Sequence, residues 1–327
     1  MLDFIQHTID LIFSTFDEAN KRLFWGYLLS ALLIALVFQV YVQKASLKKS
    51  LNDLFNIKIW WSKSSRADYK MLVANRLLFL GVSPAIISQL TIATLIFSWL
   101  HQFASPDFGS NWPIAIVISL FTVTVFLIDD LSKYWLHRLM HSNEFLWSFH
   151  SVHHSATELT PFTVLRIHPI ESVFFVLRSA LVQGFCIGLF VFIFGKTVDL
   201  FSILGVNIFI FLFNAFGSNL RHSPVPISYP NVIENWLMSP AQHQIHHSID
   251  RIHYDSNFGV ALSVWDRLGG TMKYGSCDQK ISYGIKENDI KDANSLWGLY
   301  IQPIIRAALC LRFWRKTSLR NLQENID

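Results

Sequence analysis

The sequence is short of charge and of cysteine. Only 15% of its 327 residues are Asp, Glu, Lys or Arg, against roughly 25% in ordinary soluble domains. The three cysteines, Cys186, Cys277 and Cys310, lie far apart and form no CxxC pair, which argues against a disulfide framework, an iron–sulfur cluster and a zinc finger. A formal net charge of +4 without a lysine-rich tail gives no sign of a nucleic-acid partner.

Several sequence signals are also missing. The chain contains neither GxGxxG nor CxxCH, which are the fingerprints of a dinucleotide site and of an attached haem. The first residues, "MLDFIQHTIDLIF", include an early acid and lack both a basic start and a small-residue cleavage site. We therefore expect no signal peptide and no fused redox-cofactor domain.

Hydrophobic residues are abundant instead. They make up 52% of the chain, and the mean hydropathy is +0.35, which indicates an integral membrane protein. The first two apolar runs are long enough to cross a hydrocarbon core of about 30 Å, and the last two are close enough to form a helical hairpin. For any single run the alternative is a buried helix of a soluble protein. The runs cover residues 23–43, 77–100, 114–128, 173–194 and 200–216.

Basic residues orient these helices. Residues 44–76 carry eight Lys or Arg and two acids, which predicts a cytoplasmic loop. The next loop, "HQFASPDFGSNWP", has no Lys or Arg and is expected outside. This topology brings all the histidine-rich segments to the cytoplasmic side. Residues 296–314 are apolar but broken by Pro303, Arg306 and Arg312, and we interpret them as a partly amphipathic surface helix or as part of a cytoplasmic cap.

Three histidine-rich motifs stand out: "HRLMH" from His137, "HSVHH" from His150 and "HQIHH" from His243. Histidines three or four residues apart share one face of a helix, so each motif directs several imidazoles the same way. A zinc-type site takes about four ligands, and eight imidazoles are twice that. The pattern therefore predicts two metal ions, and imidazole suits Fe, Zn, Cu and Ni.

The surrounding sequence resembles a known family. "YWLHRLMH", "RIHPIE", "RHS" and the closing stretch "MSPAQHQIHH…WDRLGGT" are similar to motifs of the fatty acid hydroxylase / sterol desaturase superfamily of membrane di-iron oxygenases. The resemblance covers roughly residues 129–271. One departure is visible, because Gly269 stands where the family usually has Phe, and this puts local packing in question rather than the metal site.

The resemblance implies a set of site residues. Acidic partners often orient metal-bound imidazoles, and Asp129 and Asp130 are further candidates for that role. His168 stands apart, because direct ligation is an alternative to its outer role. The implied metal ligands are His137, His141, His150, His153, His154, His222, His243, His246 and His247; the residues expected behind them are His168, Glu171, Asn219, His253 and Asp255.

The resemblance also implies the reaction. Two iron ions would use O2 and electrons from a separate donor protein to remove hydrogen from an unactivated C–H bond of a lipid drawn from the bilayer. Gain of a hydroxyl group gives a hydroxylase, and loss of a second hydrogen gives a desaturase. An ether-lipid-cleaving monooxygenase, a zinc hydrolase and a non-catalytic metal- or lipid-binding membrane protein are the alternatives. Residues 44–76 and 306–320 are basic and either dock the donor or signal topology and attract anionic lipid.

These inferences define the expected architecture. The fold is an all-α integral membrane protein of about four to five transmembrane helices, with a cytoplasmic helical cap that holds a histidine-rich di-metal site. Residues 1–113 form N-terminal transmembrane helices and the basic loop, residues 114–275 the histidine-box catalytic domain with a transmembrane hairpin, and residues 276–327 a cytoplasmic or amphipathic tail. We expect a multi-pass protein of a bacterial inner membrane with its active site on the cytoplasmic side.

Overall fold

The protein is mostly helical. The computed structural model describes residues 2–80, 88–104, 111–195, 199–278, 280–285 and 289–312. Its α-helices are α1 (Leu2–Asp17), α2 (Trp25–Val37), α3 (Leu47–Leu54), α4 (Ile57–Trp60), α5 (Lys63–Leu80), α6 (Gln89–Leu100), α7 (Ile114–Ser142), α8 (Glu144–His154), α9 (Pro169–Phe194), α10 (Ile208–Ala215), α11 (Asn231–Glu234), α12 (Pro240–His246) and α13 (Val264–Gly269). Shorter π and 3-10 turns cover Phe38–Val42, Pro161–Leu165, Ser218–His222, Arg251–His253 and Trp297–Ile301.

Three of these helices are long and apolar enough to cross a membrane, among the residues that the structure describes. They are α2 together with its π turn (Trp25–Val42), α7 and α9. α6 is apolar but shorter. Between α5 and α6, residues 81–87 of the predicted second span lie outside the described residues. The expectation of an apolar helical membrane protein is confirmed.

The helices α6 and α9 approach each other closely because of two glycines. A Cβ atom at Gly184 would lie 2.7 Å from the carbonyl oxygen of Gln89, and one at Gly188 would lie 2.6 Å from that of Ala93. Small residues four apart allow this kind of backbone contact between membrane helices. α9 also packs on α7, so these three helices form one bundle.

The predicted fifth span and its helical hairpin are wrong. Residues 202–207 form a short β-hairpin, β1 (Ser202–Ile203) paired with β2 (Val206–Asn207). Only then does α10 begin, and its eight residues rise about 12 Å, well short of a hydrocarbon core. α10 packs on α2 and α7. The apolar run is therefore divided between a turn and a short helix.

The histidine-bearing helices form a cap at the end of α7. Asn143 leaves the helical conformation and its side chain accepts a hydrogen bond from the backbone of Leu146 at the start of α8, so the chain turns sharply there. Behind α8, Val152 and Leu299 share a buried apolar cluster with α5. The segment that begins at Leu296 therefore packs against the histidine-bearing helix α8, and its position on the cytoplasmic side stays a prediction.

Candidate metal centre

All nine predicted ligand histidines come together in two adjoining clusters. In each cluster one nitrogen from every ring lies within 4.8 Å of the others. The first cluster is His137, His141, His150, His154 and His246, and the second is His153, His222, His243 and His247. Within the described part of the chain, no carboxylate and no thiol belongs to either group.

Helical spacing decides which cluster each histidine enters. Residues four apart stay together: His150 and His154 both enter the first cluster, and His243 and His247 both enter the second. The middle histidine of each HxxHH motif, His153 or His246, crosses to the other group. Each HxxHH motif thus serves both clusters, which refines the expectation that its three rings act together.

A loop after α12 fixes two rings of the first cluster. Nδ1 of His137 donates to the carbonyl oxygen of Phe258, and Nδ1 of His246 donates to that of Ser256, each at 2.8 Å. Asp266 holds this loop by accepting hydrogen bonds from two of its backbone N–H groups. A ring that donates from Nδ1 keeps its lone pair on Nε2, so both rings present Nε2 to the cluster.

A buried carboxylate fixes a third ring. His150 Nδ1 lies 2.8 Å from Glu171 Oε1, and both side chains are almost completely buried. The predicted role of Glu171 behind the ligands agrees with this contact. The Nε2 atoms of all five rings in the first cluster are buried and have no hydrogen-bond partner among the described residues. Buried polar atoms are rarely left unpaired, and one bound cation would satisfy these five convergent lone pairs.

In the second cluster three nitrogens face one another. The Nε2 atoms of His222, His243 and His247 lie 3.1–3.2 Å apart in all three pairs. A neutral imidazole nitrogen either carries a hydrogen or offers a lone pair, so three such atoms cannot satisfy three mutual contacts by hydrogen bonding. One cation shared by three lone pairs satisfies them all. The fourth ring, His153, is held by an Nδ1 contact of 3.3 Å to the carbonyl oxygen of Arg166.

Burial keeps these rings neutral. It lowers the pKa of His150 to about 3, and burial followed by the neighbouring rings and charges lowers the pKa of His154, His243 and His246 well below the ordinary histidine value. At neutral pH the rings therefore carry lone pairs rather than charge, which is the form that binds metal.

The other predicted residues lie outside both clusters. His168 caps the start of α9, where its Nδ1 accepts from Ile170 and its Nε2 contacts the carbonyl oxygen of Tyr300, so neither ring nitrogen is free for a metal. His253 contacts the hydroxyl of Ser248. The Asn219 amide donates to the backbone of Arg22, while its buried Oδ1 has no partner among the described residues.

Two predicted acidic partners have other roles. Asp129 forms ion pairs with Lys133 and with Arg178 of α9, which explains how Arg178 is accommodated in an apolar helix. The Asp130 carboxylate accepts two backbone N–H groups and the Trp265 indole, all from residues 261–265. Neither carboxylate hydrogen-bonds to a cluster histidine, so their expected role as imidazole partners is wrong.

A cavity of about 310 Å³ opens beside the first cluster. His141, His154 and His246 line it together with Trp147, Tyr254 and Asp255. Asp255 therefore faces the site across a cavity. This cavity therefore borders three of the five histidines of the first cluster.

The departure at Gly269 has a packing explanation. A Cβ atom there would overlap the hydroxyl of Tyr134, which in turn accepts a hydrogen bond from Arg138. The tyrosine thus occupies the space where a side chain at position 269 would begin. The histidine clusters are not in contact with this position, as expected.

One buried ion pair has no pattern in the sequence that predicts it. Asp68 of α5 and Arg166 are both completely buried, with Oδ1 and Nε 2.6 Å apart. Arg166 also donates to Ser64 and Ser155, and its carbonyl oxygen contacts His153. The pair therefore joins α5 to the support of the second cluster, across almost a hundred residues of chain.

Comparison with known proteins gives a consistent result. Residues 122–271 match the family model described as fatty acid hydroxylase. The chain is 30% identical to an ornithine lipid hydroxylase of Rhizobium tropici, over 52% of this chain and 45% of that protein. It is 28% identical to human alkylglycerol monooxygenase, over 50% and 32%, and 25% identical to rat lathosterol oxidase, over 58% and 57%.

The family match contains all nine histidines of the two clusters, and the three relatives are each covered over less than two thirds of their length. No solved structure gives a significant match. The relatives are named as hydroxylases, monooxygenases, oxidases and desaturases, so the family members are oxidoreductases of lipids. Residues 122–271 of this chain are thus similar to the fatty acid hydroxylase / sterol desaturase superfamily.

Proposed function

We propose that the protein is a membrane-bound di-iron oxygenase that hydroxylates a lipid. The reaction is R–H + O2 + 2 e⁻ + 2 H⁺ → R–OH + H2O, with the electrons supplied by a separate donor protein. The observation that carries the proposal is the pair of histidine clusters, in which five and four ring nitrogens converge. Iron, when bound there, supplies the activation of O2 and of the C–H bond.

The donor set fits a pair of cations. Nine neutral imidazoles in groups of five and four match two metal ions better than one, and nitrogen ligands suit iron as well as zinc. Oxidative relatives favour iron, because hydroxylation requires a metal that changes its oxidation state and zinc does not. Glu171 and the carbonyl oxygens of Ser256 and Phe258 hold three of the rings in the orientation that binds metal.

The lipid and donor assignments rest on the membrane character of the chain. Three apolar helices support a position of the cap at a bilayer surface, and the relatives' names refer to an ornithine lipid, an alkylglycerol and a sterol. We propose that a bilayer lipid reaches the first cluster through the cavity lined by His141 and Trp147. The basic segment of residues 44–76 is the proposed docking region for an acidic donor.

The purified protein should contain two metal ions per chain, with iron in the active form. Each cluster offers enough imidazoles for one ion. Metal content measured against protein concentration, after growth with and without added iron, checks this. A ratio of one that does not rise with iron would contradict the two-metal proposal, and zinc in an active preparation would contradict the choice of iron.

Incubation of membranes under ¹⁸O2 should give a lipid product that carries one labelled oxygen atom. Hydroxylation and desaturation share the first hydrogen removal, and placement of the substrate carbon decides between them. Mass spectrometry of the extracted lipids makes the measurement. Label in an alcohol, or in an aldehyde released from an ether lipid, supports oxygen insertion; an unlabelled product lighter by two hydrogens identifies a desaturase.

Both ends of the cap should be labelled from the cytoplasm. Single cysteines in place of Ser142 and Ile252, both exposed, would be introduced into a chain without its native cysteines. A thiol reagent that cannot cross the membrane should reach both in inverted vesicles and neither in intact cells. Labelling of the two positions from opposite sides would contradict a single cytoplasmic site.

A further inference from the structure

A second and larger cavity lies away from the histidine clusters. It has a volume of about 620 Å³, lies between α7 and α10, and is lined by none of the nine histidines. This volume lies within the range of roughly 300–1,000 Å³ that is typical of sites for small molecules. Its walls are mostly aromatic and aliphatic, and they include Val123, Phe126, Leu127, Phe209, Leu212 and Phe213.

The cavity opens toward the lipid-facing surface. Val123 and Leu127 of α7 are about 40% exposed, and Leu212 of α10 is 39% exposed. These residues belong to, or pack on, a helix that is long and apolar enough to cross the membrane. An occupant would therefore enter from the bilayer, and most of its surface would have to be apolar.

One buried cation also lines this cavity. Arg221 is only 2% exposed, and its guanidinium lies 5.0 Å from the centre of the Phe213 ring. Its Nη1 donates to Val260 at 2.8 Å and its Nε reaches Ser218 at 3.4 Å. Its Nη2 makes no hydrogen bond with the described residues, and none of their carboxylates lies within 4.0 Å of it to form an ion pair. A buried charge without a partner is costly.

The surrounding groups do not supply a countercharge. Asp130 is near enough to act on Arg221 electrostatically, but its carboxylate is already occupied by three N–H groups. Arg22 adds a second positive charge, because its Nη2 donates to the same Ser218 carbonyl oxygen at 3.0 Å. The apolar cavity thus contains a buried positive charge that a bound anion would neutralise.

We propose that this cavity binds a long-chain carboxylic acid, with its carboxylate on Arg221 and its chain along α7 and α10. A guanidinium pairs with a carboxylate through two parallel hydrogen bonds, and Tyr229 lines the same cavity as a further hydroxyl donor. The rest of the lining matches a hydrocarbon chain. Because no cluster histidine lines the cavity, this is a lipid site separate from the metals, and it does not depend on the proposed function.

The test measures binding rather than activity. The full-length protein is reconstituted in phosphatidylcholine nanodiscs at pH 8, and the retention of radiolabelled palmitate is compared with that of radiolabelled hexadecanol. The chains are equal in length, so a preference reports the charge of the head. We expect palmitate to bind at least about tenfold more tightly, which corresponds to about 1.4 kcal/mol and to a modest charge-assisted hydrogen bond.

Two variants test the binding of the ligand's carboxylate and the binding of its hydrocarbon chain separately. Arg221→Gln should reduce palmitate binding to the level of hexadecanol and leave hexadecanol unchanged. Leu212→Trp, which fills the cavity from its exposed wall, should weaken both ligands. Leu95→Trp is the matched control, because Leu95 is 64% exposed on α6 and away from the cavity lining; it should change neither.

The proposal is overturned by either of two outcomes. One is equal binding of acid and alcohol to the unaltered protein. The other is unchanged palmitate binding in Leu212→Trp. This variant is compared only when it elutes as a single species and has the same metal content as the unaltered protein. Since neither O2 nor a donor protein is present, failure here leaves the oxygenase proposal intact, and failure of that proposal leaves this site intact.

Discussion

Replacing His246 by alanine is expected to lower the rate of lipid oxidation at least about 100-fold and to remove one metal ion per chain. His246 packs against His137, His141 and His154, with ring centres 4.5–4.7 Å apart, and it comes from a different helix. Loss of a group that merely supports a ligand costs about 10–100-fold in metal affinity or activity, so loss of a ligand should reach at least the upper end. Product formation in membranes and metal content of the purified variant are the two measurements.

The matched control is His101→Ala. His101 is an exposed histidine at the end of α6 and belongs to neither cluster, so its loss should leave both product and metal content unchanged. Full activity in the His246 variant would show that the metal assignment is wrong. Retained metal with lost activity would instead assign His246 to a step other than metal binding.

Replacing Asp68 by alanine is expected to destabilise the protein by about 3–5 kcal/mol, the usual cost of leaving one member of a buried ion pair alone. Arg166 would remain completely buried without its countercharge. For a chain of 327 residues the midpoint of thermal unfolding should fall by about 4–7 °C, since an unfolding entropy of about 2.1 cal/mol/K per residue gives about 1.5 °C for each kcal/mol. Loss of metal from the second cluster should accompany the change, because the Arg166 carbonyl oxygen positions His153.

Two further variants make this test specific. Asp53→Ala removes an exposed acidic residue from the same basic segment and should shift the midpoint by no more than about 1 °C, as a surface change does. The double variant Asp68→Leu/Arg166→Met removes both charges, so it should recover part of the stability lost in Asp68→Ala. If Asp68→Ala unfolds at the same midpoint temperature as Asp53→Ala, the ion pair between Asp68 and Arg166 does not stabilise the cap.

Much of the candidate site follows from local sequence. Motifs with histidines three and four apart predict convergent rings once the segment is helical, and α7, α8 and α12 are helical at these positions. The role of Glu171 could also be predicted, because the resemblance at "RIHPIE" pointed to this residue. The division of the histidines into groups of five and four could not be predicted. It depends on the angle at which α8 meets α12, and the spacing of residues along one helix does not determine that angle.

The errors have physical causes. Residues 200–216 are as apolar as a membrane span, but Leu204 and Gly205 adopt positive φ angles of 50° and 74° and form a turn that hydropathy does not register. Asp129 and Asp130 lie near the histidines in sequence. However, the Asp129 carboxylate forms an ion pair with Lys133, and the Asp130 carboxylate accepts hydrogen bonds from the segment before α13. Lys133 is local to Asp129, but Arg178 and the groups that bind Asp130 are brought close only by the tertiary fold.

The support of the second cluster could not be read from the sequence at all. Asp68 was counted as one of two acids in a basic loop, and it is in fact the buried partner of Arg166. A single acid and a single arginine almost a hundred residues apart carry no pattern. The consequence is that part of the site's framework lies in α5, outside the residues 122–271 that match the family.

Under the proposed function, the unbroken length of α7 would set where along a lipid the reaction takes place. About 35 Å of helix separates its start at Ile114 from His137, at about 1.5 Å per residue, while a hydrocarbon core is about 30 Å thick. With the amino end of α7 at one face of the bilayer, the first cluster lies a few ångströms beyond the opposite face, level with the headgroups. Carbons near the polar end of a lipid reach that level easily, whereas carbons near its methyl end would have to leave the bilayer. In the proposed reaction the helix would act as a ruler that selects the oxidised position by its distance from the headgroup, and a thinner bilayer would move that position toward the middle of the chain.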